Sequence, residues 1–333
     1  MKKVLVTGAD GLLGNNLVRL LLKKKYVVKI FLQSGKPLGY LSDLPIEVSR
    51  GDILNFNEVN SAVKGCDVVI HAAALTNTWP TQGEVYYKVN VDGTQNVINA
   101  VKEHKVSRLL HIGTSNSFGA GTSEKLGTEK NPFTAGKFKL DYITSKYRAH
   151  ELVLKEVREK NLPALILNPT FMIGPYDVKP SSGKMIISIA KEKVPGFSQG
   201  GRNFVYVNDV ANAIVNAIEK GRIGEGYVLG NENLSYETMF GKIAKVAGVK
   251  APTLLMPPFL VQLYGRISGF IATITGSEPS ISYPLAQISN EEHFYDCSKA
   301  VSELDMPQTP IENAIKEAVD WFNKEGYLPK SNA

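Results

Sequence analysis

Tyr142 and Lys146, four positions apart, pose the first chemical question of this chain. Within a helix that spacing puts both side chains on one face. A phenol that exchanges protons near neutrality must fall from its ordinary pKa of ~10 to about 7, a change of roughly 4 kcal/mol. A lysine ammonium about 4 Å away supplies about that much at an effective dielectric near 20. Spacing alone selects little, because two of the 14 tyrosines have a lysine four residues on, the other pair being Tyr295 and Lys299. Position separates them. Thr114, upstream of Tyr142, offers a hydroxyl that can hold a substrate oxygen and stabilise charge developing on it. Tyr295 lies in a late segment without such neighbours and reads as packing. Thr114, Tyr142 and Lys146 are therefore the catalytic candidates.

These residues need a scaffold, and residues 2–14, KKVLVTGADGLLG, open one. Val4-Leu5-Val6 is a short apolar run of the kind buried on both faces of a sheet. Gly8, Gly11 and Gly14 follow, and leucines then recur with helical spacing. Strand, glycine turn and helix together bring a pyrophosphate onto a helix N-terminus. Gly8 permits the tight turn, Gly11 lets the phosphates approach the backbone, and Gly14 lets helix pack on strand. Gly8, Gly11, Leu12 and Leu13 are the candidate binding residues of this loop.

Downstream, apolar runs alternate with helical patterns, the signature of βαβ units. Strands are predicted at 27–32, 46–48, 67–70, 108–112 and 164–167, with helices at 55–64, 85–103 and 137–160. Thr7-Gly8, Gln33, Asp52, His71-Ala72, Thr114 and Asn168-Pro169 then share one sheet edge, where open parallel sheets bind ligands. After Pro169 the chain turns loop-rich, and a helix at 209–219 and a strand at 227–229 return to the sheet. The predicted fold is α/β, a doubly wound Rossmann-type parallel sheet with a smaller, mostly helical substrate-binding lobe. The dinucleotide domain takes residues 1–170 and 205–231, and the lobe takes 171–204 and 232–330. No internal repeat or low-complexity tract interrupts this pattern.

Composition narrows the class. The chain has 333 residues, enough for one large α/β domain with a lobe, and ordinary contents of 43% hydrophobic and 21% charged residues. The net charge of +6 is spread along the chain without the aromatic-interleaved basic stripe that nucleic acid requires. Cys66 and Cys297 form neither a disulfide framework nor a metal-ligand spacing, which suits a reducing cytosol and no metal. A first strand at residue 3 leaves no room for a signal peptide, so a cytoplasmic location is expected. The most apolar tract, 253–275, is broken by Pro257-Pro258 and Arg266. It reads as a helix of the lobe rather than an integral membrane segment, with surface attachment as the lesser alternative.

At this point a resemblance becomes specific. The chain resembles the extended short-chain dehydrogenase/reductases, the NAD-dependent epimerase/dehydratase superfamily, over essentially its whole length. The motifs are TGADGLLG at 7–14, GDI at 51–53, HAA at 71–73, NVDGTQN at 90–96, YITSK at 142–146, NPTFMIGP at 168–175 and RNFVYVNDVA at 202–211. GPYDVKPSSGK and the C-terminal DCSKAVSELDMPQTPIENAIKEAVDWF make it most similar to the dihydroflavonol-reductase-like branch. The resemblance implies Asp52 and Ile53 at the adenine, and Ala72 and Ala73 beside the pyrophosphate and ribose. It implies Tyr142 as proton donor, Lys146 on the nicotinamide ribose, and Pro169 and Thr170 beside the carboxamide. Thr114 stands where serine is commoner. Asn90 either supports the site or only its helix, while His71, Asn168 and Thr170 read as scaffold. Thr76, Asn116, Phe171 and Arg202 are the substrate-side candidates, for a small-molecule substrate. Helices 85–103 and 137–160 commonly form a dimer face in relatives, so a homodimer is expected.

Cofactor choice turns on the end of the second strand. Gln33-Ser34-Gly35-Lys36 offers no carboxylate for the 2′-hydroxyl of NAD, and Lys36 can meet a 2′-phosphate, which tilts the balance to NADP over NAD. The arginine usual in NADP-binding relatives is absent there. Three functions fit: an oxidoreductase passing hydride between nicotinamide and a carbonyl or secondary alcohol; a nucleotide-sugar epimerase or dehydratase with Arg202 on the diphosphate; and a non-catalytic dinucleotide sensor. The intact tyrosine–lysine pair weighs against the last.

Overall fold

The computed structural model describes residues 1–329, so the predicted lobe boundary at 330 lies outside the described residues. Seven strands form one parallel sheet: β1 (Lys3–Thr7), β2 (Val27–Gln33), β3 (Glu47–Gly51), β4 (Val68–His71), β5 (Arg108–Ile112), β6 (Ala164–Pro169) and, last along the sheet, β9 (Gly226–Leu229). Their order, β3-β2-β1-β4-β5-β6-β9, reverses between β1 and β4. That reversal opens a crevice at the carboxyl ends of the strands. This is the doubly wound α/β fold.

The strands hold because their residues alternate between two apolar layers. Val4 and Val6 face one, with helices Leu12–Lys23 and Val207–Lys220, while Leu5 faces the other, with Phe56–Val63, Gly93–Glu103 and Asp141–Lys160. Local signals set the helix ends. Asn55 accepts hydrogen bonds from the Asn57 and Glu58 amides and so caps the helix that follows. The helix Leu12–Lys23 ends where Lys25 turns left-handed at φ 64°.

Two predicted helices differ. Residues 85–103 are not one helix: Glu84–Tyr87 passes through a wide π-helical turn, Lys88–Asp92, before Gly93–Glu103. Asn90 lies in that turn with its side chain bound outside the helix. The helix predicted from 137 starts at Asp141, because Lys139 is left-handed (φ 51°) and Leu140 is extended. The lobe is mostly helical, as expected, and it also carries a small sheet that the sequence did not announce. Beside β7 (Phe171–Ile173), β8 (Gly201–Tyr206) pairs antiparallel with β10 (Glu232–Ser235) and parallel with β11 (Glu292–His293), giving a second, four-stranded sheet. The apolar layer on the Leu12–Lys23 side continues unbroken into helices Gly183–Ala190, Tyr236–Ala247 and Ile311–Lys324, so one core joins the two sheets. Among the described residues no helix is long and apolar enough to cross a membrane, and no three metal-ligating side chains converge.

Candidate active site

Three segments place the catalytic candidates. Thr114 follows β5 through Gly113, where a Cβ would lie 2.2 Å from the Oδ1 of the buried Asn168 side chain, so a larger residue would have to displace that amide. The Thr114 Oγ1 accepts from both the Asn116 backbone amide and the Asn116 side-chain amide, each at 3.3 Å. With its lone pairs so used, the hydroxyl proton is free to donate. Tyr142 is the second residue of its helix, whose start is anchored by Asp141: the carboxylate accepts from the Gly83 amide and from the Tyr87 hydroxyl, both at 2.8 Å. Lys146 stands one turn further in.

Burial pushes the Tyr142 phenol up from its ordinary value, while the Thr114 hydroxyl and the Arg202 guanidinium pull it down. Arg202 is thus a cation acting on the phenol that residue spacing did not reveal. Lys146 is buried, and its Nζ donates 2.6 Å to the Ile112 carbonyl. An ammonium removed from water needs an acceptor, and the nearest backbone supplies it. Burial lowers its pKa to about 8. Around it stand His71, His111 and His150, all driven towards the neutral form first by burial and then by the Lys146 charge; His71 falls to about 3 and His150 to about 4.

The glycine loop has the geometry of a phosphate cradle. Gly8 has φ +73°, and a Cβ there would meet the Ala73 nitrogen at 2.6 Å; a Cβ on Gly14 would meet the Gly8 carbonyl at 2.2 Å. Gly11 instead meets nothing closer than 3.6 Å, so the loop is tight below and open above. Leu12 and Leu13 turn their side chains into the core and leave their amides at the helix start. A dinucleotide pyrophosphate fits this cradle.

A family model described as the NAD dependent epimerase/dehydratase family matches residues 4–230. The chain belongs to that family. Similar curated proteins include "Putative dihydroflavonol 4-reductase" of Synechocystis sp., 30% identical over 97% of this chain and 95% of its own. Another is "Sterol demethylase protein B" of Methylococcus capsulatus, 28% identical over 97% and 99%. Among solved structures, gox2253 superimposes with a TM-score of 0.87 at 31% identity, covering 99% of this chain and 100% of its own. As a family member the chain is a nicotinamide-dependent enzyme with a Rossmann-type fold.

The remaining candidates fall into two groups. At the carboxyl ends of β2 and β3, Asp52 caps its own turn: its Oδ1 accepts from the Leu54 amide at 2.9 Å, and its amide donates to Glu58 at 2.6 Å. Ile53 packs under Gly93. The Ala72 and Ala73 amides are fixed on Thr7, at 3.3 and 3.0 Å. Gln33 ends β2 exposed, and Lys36 lies 3.3 Å from Asp10 of the glycine loop. Arg50 donates to the Lys36 carbonyl at 2.6 Å. Sequence reading missed Arg50 because it belongs to the neighbouring strand.

At the substrate end, Pro169 closes β6, and Thr170 donates to the Asn203 Oδ1 at 2.8 Å. The Arg202 Nε donates to the Tyr236 hydroxyl at 2.7 Å, and its guanidinium stands 5.4 Å from the Phe171 ring; neither partner is charged. Asn90 ties the loop at Leu75 to Ser145, one residue from Lys146. His71 is held between the Thr7 and Thr94 hydroxyls at 2.8 and 3.0 Å. Thr76 is exposed and lines neither the cavity at Asn116 and Phe118 nor the groove at Trp79 and Gly265.

Two further residues surface here. His293 is the register partner of Arg202 across β8 and β11, and Tyr295 is two residues on. Both are buried and line a cavity of about 320 Å³ with Asn116, Phe118 and Phe138. The His293 Nε2 and the Tyr295 hydroxyl have no partner among the described residues. Tyr295 is therefore cavity wall as well as packing. A spacing of two residues was the available signal, but a strand of two residues is too short to show periodicity.

Proposed function

We propose that the enzyme reduces a carbonyl, or oxidises the matching secondary alcohol, on a substrate seated between Thr114, Tyr142 and Arg202. What supports this reading is that the Thr114 hydroxyl, with its acceptor capacity used by Asn116, and the Arg202 guanidinium both pull on the Tyr142 phenol. Bound nicotinamide would supply or take the hydride. Thr114 donates to the substrate oxygen and stabilises charge there. In the reducing direction Tyr142 gives its proton to that oxygen, and burial favours the protonated phenol needed for this. Gly8, Gly11, Leu12 and Leu13 would hold the pyrophosphate, Asp52 and Ile53 the adenine, Lys146 the nicotinamide ribose, and Pro169 and Thr170 the carboxamide. Lys36 and Arg50, meeting at the end of β2, support NADP over NAD. Phe118, Phe138 and Phe171 favour a substrate with apolar bulk, in keeping with the sterol protein among the relatives. A homodimer and a cytoplasmic location belong to the same reading.

Tyr142→Phe tests it. Turnover of a broad ketone panel with NADPH should fall about 10³-fold, with NADPH binding by fluorescence unchanged. Retention of more than half the activity would end the proposal. A nucleotide-sugar reading draws on the uncharged surroundings of Arg202. Micromolar binding of UDP or dTDP by calorimetry, lost in Arg202→Ala, would favour it instead.

A further inference from the structure

The helix Pro258–Thr275 carries its side chains the wrong way round for a helix in water. Its buried positions are small, Gly265 and Ala272. A Cβ on Gly265 would lie 2.8 Å from the Ala286 Cβ and 3.1 Å from the Tyr283 Cα, so glycine lets this helix sit close on Tyr283–Ile288. The large residues point outward. Phe259 and Phe270 are 68% exposed and Ile274 70%, and Leu263, Ile267 and Ile271 are exposed with them. At about 100° per residue these six fall within an arc of about 120°, one continuous stripe. Exposed Leu254 and Leu255 extend it past the helix start. Monomeric proteins in water seldom leave so much contiguous apolar surface uncovered.

Charge decides what covers it. From residue 251 to 277 the sequence holds one charged side chain, Arg266, and no acid. Arg266 stands at the edge of the stripe, over the Tyr283 ring at 4.6 Å. Glu278, the next acid along the chain, is engaged by Lys184 at 2.5 Å. A second copy brought face to face would set Arg266 against Arg266 with no carboxylate between them. An anionic surface meets Arg266 favourably, and an acid-free apolar stripe edged by a cation suits the headgroup boundary.

We propose that this face docks on an anionic lipid bilayer, with the helix lying in the membrane plane. Eighteen residues give it a length of about 27 Å along the surface. Behind it, a groove of about 520 Å³ runs between Gly265, Gly269, Trp79 and Phe138, and Phe138 also borders the cavity containing Asn116. The groove would lead an apolar substrate from the bilayer towards the site. That last step rests on the function proposed above; the docking does not.

Flotation of the full chain with vesicles tests the docking directly. Binding is expected to vesicles of phosphatidylcholine mixed with phosphatidylglycerol, and to weaken on phosphatidylcholine alone and with added salt. The triple variant Phe259→Ser, Phe270→Ser, Ile274→Ser should lose about a hundredfold in partitioning, and Arg266→Gln about fivefold, with melting curves unchanged. Three results would overturn it: no flotation of the wild type, flotation equal in the triple variant, or a dimer in sedimentation equilibrium that the triple variant dissolves while vesicles stay bare. Carbonyl reduction that fails in solution and on vesicles alike, with flotation intact, would sink the reaction and leave the docking standing.

Discussion

Replacing Lys146 by methionine should remove a defined pH dependence from the stability of the fold. Burial alone lowers this ammonium from 10.5 to about 8, and Lys146 is only 4% exposed. Each pKa unit is worth 1.36 kcal/mol, so the charged form costs the native state roughly 3 kcal/mol. Below about pH 8 both folded and unfolded chains carry the proton, and the whole penalty applies. Between about pH 8 and 10.5 the unfolded chain holds more protons than the folded one, so stability rises with pH. Above that window the penalty is gone. Methionine cannot titrate, and loss of the bond to Ile112 displaces the variant's curve without adding a slope. Urea unfolding of both proteins from about pH 7 to about pH 10 should therefore show their difference moving by up to about 3 kcal/mol in favour of wild type. Other titrations cancel in that difference. Parallel curves would refute the reasoning.

Gly14→Ala places a Cβ 2.2 Å from the Gly8 carbonyl and 2.5 Å from the Ala9 Cα, backbone atoms that cannot swing away. It should cost about 1–3 kcal/mol in calorimetric unfolding and weaken dinucleotide binding in the same preparation. Lys36→Ala combined with Arg50→Ala should raise the KM for NADPH about tenfold, one lost charge-assisted contact's worth, and leave that for NADH in place; equal effects on both would remove the case for NADP. Arg202→Gln removes a charge that lowers the Tyr142 phenol. Alcohol oxidation needs the phenolate, so its rising pH limb should shift to higher pH, and an unmoved limb would place the Arg202 field elsewhere.

Where a single element carries its own pattern, the sequence read well. Val4-Leu5-Val6, Arg108–Ile112 and the helix capped by Asn55 are local signals, and each lies where its residues point. The failures are non-local. The break at Lys88–Asp92 holds Asn90, whose partners at Leu75 and Ser145 are far along the chain, and no periodicity announces them. The late start of the Tyr142 helix follows from a left-handed lysine, a conformation that residue type does not favour. Lys146 illustrates the limit in chemistry. Spacing put it on a helix face, but could not name the acceptor that its buried Nζ finds, the Ile112 carbonyl.

The small second sheet changes what the substrate end of the site is. The sequence turns loop-rich after Pro169, where a mostly helical lobe is expected to begin. There β6 ends at Pro169, and β7 starts at Phe171 after a single intervening residue. That residue, Thr170, is bonded by its amide to Leu229 of the large sheet and by its hydroxyl to Asn203 of the small one. Asn203 in turn binds Asn231 and Asn233. Register then does the rest: β7 lies along β8, and β11 sets His293 beside Arg202. The strands that carry Arg202 and His293 are thus tied through Thr170 and Asn203 to the large sheet, whose β5 leads into Thr114.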